Sequence, residues 1–139
     1  MDLDNFAMTL GEDGKWRHAP DEPFEGLRLC DGWGTSMIRG KVYADVVEAA
    51  TGQSLYQERI EPATVVEMAG RFRAAVEQAK QAGERVGERE MFDERGEMQR
   101  VRFPLLEVAG CEIHAGEAED LARWLEICAE HGYAIDSWW

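Results

Sequence analysis

The sequence predicts an α+β fold, a small antiparallel sheet packed against three helices, and three observations carry that expectation. Three segments show apolar residues recurring at three- and four-residue steps, the period of a helix with one buried face. Between and around them lie short stretches in which apolar and polar residues alternate, as in half-buried strands. The chain has 139 residues, 45% hydrophobic and 31% charged, which is the size and balance of one globular domain spanning residues 1–139.

The opening third is rich in Gly, Pro, Asp and aromatic residues and reads as turns and short strands, with brief alternations such as Phe24, Leu27 and Leu29. From Ser36 the period changes: Met37, Ile38, Val42, Val46 and Ala49 predict a first helix over Ser36 to Thr51, with Gly40 a weak point inside it. Pro62 suits the first turn of a second helix, because its missing N–H has no partner to lose there. Val65, Ala69, Phe72, Val76 and Ala79 form its apolar face and Gly83 its stop, while Glu67, Arg71, Arg73, Glu77 and Lys80 mark a solvated side. Residues 84–102 hold eleven charged side chains of both signs and predict an exposed connection, a hairpin turning at Asp93-Glu94-Arg95-Gly96. Val101, Phe103 and Leu105 alternate toward Val108, and Pro104 places that strand at a sheet edge. Ala109-Gly110 then turns into a short strand through Cys111 and Ile113.

A third helix spans Gly116 to Glu130, with Ala118, Leu121, Ala122, Leu125, Cys128 and Ala129 as its buried stripe and Gly132 after its end. Glu117, Glu119 and Asp120 favour the positive end of its dipole. The final segment reads as a strand with Tyr133, Ile135 and Trp139 on one face, and no internal repeat interrupts the single-domain pattern.

Charge excludes one class of function. The formal net charge is −13, with 8 acids against 3 bases in residues 1–35, 12 against 11 in 36–102, and 8 against 1 in 103–139. A reader of DNA or RNA needs a basic patch to neutralise phosphates, so direct nucleic-acid binding is not expected. A basic protein is instead attracted over about a Debye length, ~8–10 Å at physiological salt. No apolar stretch approaches the roughly 20 residues of a membrane span. The acidic start Met1-Asp2-Leu3-Asp4-Asn5 is unlike a secretory signal, and three cysteines without scaffold spacing suit a reducing compartment, so a cytoplasmic location is expected.

The last third, a short strand, a helix with acids at its start, then Glu130-His131-Gly132-Tyr133-Ala134-Ile135-Asp136-Ser137-Trp138, resembles a group of small bacterial and phage proteins of uncharacterised function. Those proteins end in an aromatic-rich segment after a glycine and carry a helix pair upstream. The resemblance covers about the last twenty residues and, more loosely, Trp33 to Gln81, where the family's aromatic cluster and Asn-x-Gly turn are absent. Small acidic phage proteins of this general kind include inhibitors of host defence such as anti-CRISPR proteins, which implies a non-enzymatic inhibitor.

Among motifs, Cys111-x-x-His114 and, thirteen residues on, Cys128-x-x-His131 supply the two thiolates and two imidazoles of a tetrahedral zinc site. Cys128 also belongs to the buried stripe of the third helix, where a free cysteine acts as a small hydrophobe. The metal-binding or enzymatic reading therefore stands as the alternative, and no metal or cofactor is the leading expectation. Cys30 has no histidine or basic cluster beside it to lower its pKa. Glu25, Asp31 and Asp45, near the Trp33 loop, are as readily turn and helix-surface acids as a catalytic set. No phosphate-binding glycine loop or hydrolase motif occurs.

Two features favour a partner. Five tryptophans are many for this length; Trp124 suits the core, whereas extended Trp138-Trp139 would turn one indole inward and one outward. Glu119, Glu126 and Glu130 on the third helix, with Glu112 and Asp136 nearby in sequence, are the candidates for an acidic patch imitating DNA, and Trp138 for an anchor beside it. The sequence thus points to an inhibitor or immunity-type protein engaging the basic surface of a nucleic-acid-handling partner; an acidic surface serving solubility alone is the plainer reading.

Overall fold

The computed structural model describes residues 3–29 and 32–139 of the chain and gives an α+β architecture of three helices and antiparallel sheets. In chain order the strands are β1 (Asp4–Leu10), β2 (Trp16–His18), β3 (Arg28–Leu29), β4 (Gly32–Trp33), β5 (Met37–Ile38), β6 (Arg59–Ile60), β7 (Arg85–Phe92), β8 (Met98–Val108), β9 (Cys111–His114) and β10 (Ala134–Trp138). The helices are α1 (Gly40–Thr51), α2 (Pro62–Ala82) and α3 (Ala115–Glu130).

The first sheet runs β2-β1-β10-β6, all antiparallel, and β5 continues the line of β2 along the same side of β1. The two ends of the chain therefore meet at its centre, Ala7 beside Ile135 and Asn5 beside Ser137. One face carries the buried residues Asn5, Ala7, Ile38, Ile60 and Ile135, and the burial pattern puts the helices on that side. A second sheet, β7-β8-β9, packs its buried residues Leu106, Val108 and Ile113 into the same core against α2 and α3.

The second and third helices form where their apolar periods place them. Pro62 opens α2, and Gly83 closes it at φ 103°, its N–H reaching the carbonyl of Ala79. At the start of α3 the His114 ring accepts at Nδ1 from the N–H of Gly116 at 3.0 Å, which satisfies one of the helix's orphan donors. Trp124 is fully buried against Phe24, with ring centroids 5.6 Å apart, and its indole N–H donates to the carbonyl of Thr35.

Three expectations are corrected. The first helix begins at Gly40 instead of Ser36, because Met37 and Ile38 pair with Phe6 and Asn5 as a strand. Gly40 is not a weak point inside the helix but its first residue, pressed against Asn5: a Cβ built there would lie 1.7 Å from the Asn5 Oδ1. The strand containing Pro104 is the middle one of its sheet, yet β9 pairs only from Leu105 onward, so at Pro104 one side is locally open and tolerates a residue without an N–H. The hairpin turn stands where expected. The Asp93 carboxylate accepts from the N–H groups of Arg95 and Glu97, and Gly96 adopts φ 77°.

Candidate functional site

The structure separates the residues that sequence reasoning grouped together. Glu119 and Glu126 lie two turns apart on one stripe of α3, and α2 places Arg73 against both, at 2.5 and 2.7 Å, with Lys80 3.0 Å from Glu119. Glu130 is paired with Arg123 at 2.9 Å, and Glu112, on β9, stands 3.7 Å from Arg85. Asp136 holds Arg59 through two short hydrogen bonds of 2.6 and 2.7 Å. The acidic ridge expected from Glu112, Glu119, Glu126, Glu130 and Asp136 is therefore not a bare one, since every member faces a base. The reason is readable in the spacing: positions 73 and 80, like 119 and 126, are seven apart, so packing of the two helices brings a basic stripe onto an acidic one.

These pairs shift the acids. Burial opposes ionisation of Glu119, but hydrogen bonds from Lys80 and Arg73 outweigh it and hold its carboxyl below the ordinary glutamate value of 4.5. The hydrogen bond from Arg123 does the same for Glu130. A folded-state pKa below the unfolded one contributes stability that is complete above the unfolded value and lost as pH falls through the folded one. The melting temperature is accordingly expected to drop as pH is lowered below about 4.5, and Glu119→Gln to flatten that decline in a thermal scan series. Replacing Arg73 by alanine leaves two carboxylates facing each other without their common cation. Arg73 is 24% exposed, so solvent screens part of the effect, and a loss of about 1–3 kcal/mol in urea unfolding is expected, less for Arg73→Met, which keeps the packed stem.

The cysteine and histidine pairs do not converge. Cys128 is fully buried in the core, and burial pushes its thiol well up, whereas Cys111 is half-buried on β9. His114 stacks on Phe103 at 5.9 Å and His131 on Tyr133 at 5.1 Å. Among the described residues no group of three or more histidine, cysteine or carboxylate side chains stands close enough to hold a metal ion. Cys30 and Asp31 lie outside the described residues, and Glu25 and Asp45 are exposed surface acids. A cleft of about 690 Å3 opens between α1 and the second sheet, where Val42, Val46, Phe103 and Leu105 meet Arg89 and Glu117.

The surface that sequence reasoning missed is the outer face of the first sheet. Alternation along β1 sends Asp4, Phe6, Met8 and Leu10 outward, opposite the buried Leu3, Asn5 and Ala7. The strand registers set Trp16 and His18 of β2, Met37 of β5, Asp136 and Trp138 of β10, and Arg59 of β6 on the same side. Phe6 meets His18 edge-on at 5.2 Å, and the Arg59 guanidinium lies 4.7 Å over the Trp16 ring while Asp136 grips it from the next strand. Trp138 is 73% exposed and Leu10 53%. Neither terminal indole enters the core, contrary to the expectation for one of them; Trp139 rests edge-on against Tyr56 at 5.8 Å. The signal was present in residues 4–10, where large apolar side chains occupy the face that a solvated strand fills with polar ones.

The fold is α+β, and the outer face of its first sheet is mixed: Phe6, Met8, Trp16 and Met37 are half-buried there, Ala134 is fully buried, and Leu10 and Trp138 stand exposed at its two ends. No family model, no curated protein and no solved structure is significantly similar to the chain. Among the described residues no helix is long and apolar enough to cross a membrane.

Proposed function

We propose that the chain is a non-enzymatic protein-binding inhibitor, one that engages the basic surface of a nucleic-acid-handling partner through the outer face of its first sheet. The observation that carries this reading is the composition of that face. An antiparallel sheet with one side in water ordinarily alternates apolar-in and polar-out. Here Phe6, Met8 and Met37, half-buried, and Leu10 and Trp138, exposed, are turned outward, and large apolar side chains in such positions are frequent at interaction sites. Trp138 is placed as an anchor, a large indole with few internal rotations to lose on binding.

Charge supplies the preference for partner. Asp4 shares the face, and Glu58 and Glu61 border it beside the Arg59–Asp136 pair, within an overall charge of −13. Trp138 keeps its expected part in binding, whereas Asp136, occupied by Arg59, and Glu112, Glu119, Glu126 and Glu130, occupied by arginines and lysine, add to the long-range field.

Affinity capture from the native cell with wild-type chain, Trp138→Asp and Leu10→Asp tests the reading. The partner is expected to be retained by wild type, lost by both variants and released as salt rises. Retention by both variants equal to that of wild type would contradict it.

A further inference from the structure

The cleft between α1 and the second sheet is lined by two hydrogen-bond donors that the chain itself does not use. Strand alternation accounts for the first. On one side of the β7–β8 ribbon Glu88 and Glu90 stand opposite Arg102 and Arg100 and pair with them. Arg89 shares the other side with Val101 and Phe103. Its guanidinium lies 5.4 Å from the Phe103 ring centroid and forms no ion pair among the described residues. A guanidinium resting on an aromatic ring keeps its planar fork of N–H groups for a carboxylate. His114 supplies the second donor. Its Nδ1 accepts from the Gly116 N–H, so the ring proton sits on Nε2, at the far edge of the ring. That ring stacks on Phe103 with planes 12° apart, and its Nε2–H has no acceptor among the described residues.

The rest of the cleft suits an apolar body. Val42 and Val46 on α1 face Phe103 and Leu105 on β8 across a volume of about 690 Å3, in the ordinary range of small-molecule sites, which pair apolar walls with a few polar groups. Three acids also border it and decide the charge of the occupant. Glu112 stands 3.7 Å from Arg85, Glu117 accepts from the Tyr43 hydroxyl at 3.4 Å, and Asp45 is exposed to water. The groups left without a partner are therefore donors, which call for an anion. The same three acids and the net charge of −13 oppose a second negative charge, which favours a carboxylate over a phosphate dianion. From this arrangement we infer that the cleft binds a small monocarboxylate with an apolar, ring-sized body. Its carboxylate takes the free donors of Arg89 and His114, and its body packs between Val42, Val46 and Leu105. The cleft shares no residue with the outer face of the first sheet, so its occupant is independent of the partner proposed there.

The test titrates the full chain with 3-phenylpropionate, and with 3-phenylpropanamide and 3-phenylpropylamine as neutral and cationic compounds of the same shape, followed by calorimetry and backbone amide chemical shifts. The expected result is saturable one-to-one binding of the acid with a Kd below about 1 mM, about tenfold or more tighter than either match. Shift changes are expected to group at residues 42–46, 103–105 and 111–117. Arg89→Gln, on the exposed ribbon, is expected to weaken binding by about tenfold, and His114→Asn, which keeps an acceptor for the Gly116 N–H but loses the ring, by about threefold or more. Val42→Asp places a charge at a half-exposed position of the cleft wall and is expected to abolish binding, whereas Val66→Asp adds the same charge on the exposed side of α2 and is expected to bind as wild type does. No saturation by about 10 mM acid, equal or tighter binding of the amine, or an Arg89→Gln chain that binds as wild type does would overturn the inference. So would equal weakening by Val42→Asp and Val66→Asp, the sign of general repulsion in place of a site.

Discussion

Replacing Trp124 by alanine is expected to lower the unfolding free energy by about 3–5 kcal/mol, a large share of the ~5–15 kcal/mol of a domain this size. The indole is fully buried where α3 meets Phe24, and its N–H donates to the Thr35 carbonyl at 3.2 Å, tying the helix to the loop before β5. Truncation removes both the packing and the donor, leaving a cavity and a carbonyl without its partner. Trp124→Phe separates the two contributions: it keeps most of the ring volume and is expected to cost about half as much. Urea titrations with an unchanged slope and a lowered midpoint for both variants, in that order, are the result to look for. An alanine variant within about 1 kcal/mol of wild type would mean that Trp124 is not packed as described.

The second large effect concerns two glycines that look alike in sequence. Gly40 opens α1 with its Cα against Asn5, and an added methyl would sit 1.7 Å from the Asn5 Oδ1 and 3.1 Å from Leu3 Cδ2. Asn5 cannot simply swing away, because it is fully buried and its amide donates to the Leu55 carbonyl at 3.0 Å. Gly40→Ala is therefore expected to destabilise by about 2–3 kcal/mol, through overpacking and a disturbed buried hydrogen bond. Gly70 stands exposed in the middle of α2 with nothing within 4 Å of its would-be Cβ. Gly70→Ala is expected to stabilise by about 0.5–1 kcal/mol, since alanine restricts the unfolded chain and fits the helix. Opposite signs for the two substitutions in the same assay would verify the close approach of α1 to β1.

Much of the architecture was legible because local signals and tertiary packing agree. In α2 the proline start, the apolar period from Val65 to Ala79 and the glycine stop all point to one element, and the structure has it. The hairpin turn at Asp93 to Gly96 carries its own chemistry, an aspartate accepting from backbone N–H groups and a glycine at positive φ. The start of α1 was not legible, since Met37-Ile38 fits a helix period as well as a strand. Only pairing with β1, over thirty residues earlier, decides it. The acidic patch failed for a related reason. Sequence shows which acids share a helix face but not which helix lies opposite, and Arg73, assigned to a solvated side, turned out to face α3. Trp138 was found as exposed, but the floor around it is assembled from β1, β2, β5, β6 and β10, distant in sequence and joined only by strand register.

Side-chain oxidation footprinting of the chain alone and in its captured complex tests the central claim most directly, because the competing surfaces carry different reactive residues. Phe6, Met8, Met37 and Trp138 mark the sheet face, and Met91, Phe92 and Met98 mark the hairpin. The account predicts strong protection of the first set on binding and unchanged oxidation of the second. Protection confined to Met91, Phe92 and Met98, with Trp138 as reactive as in the free chain, would contradict it.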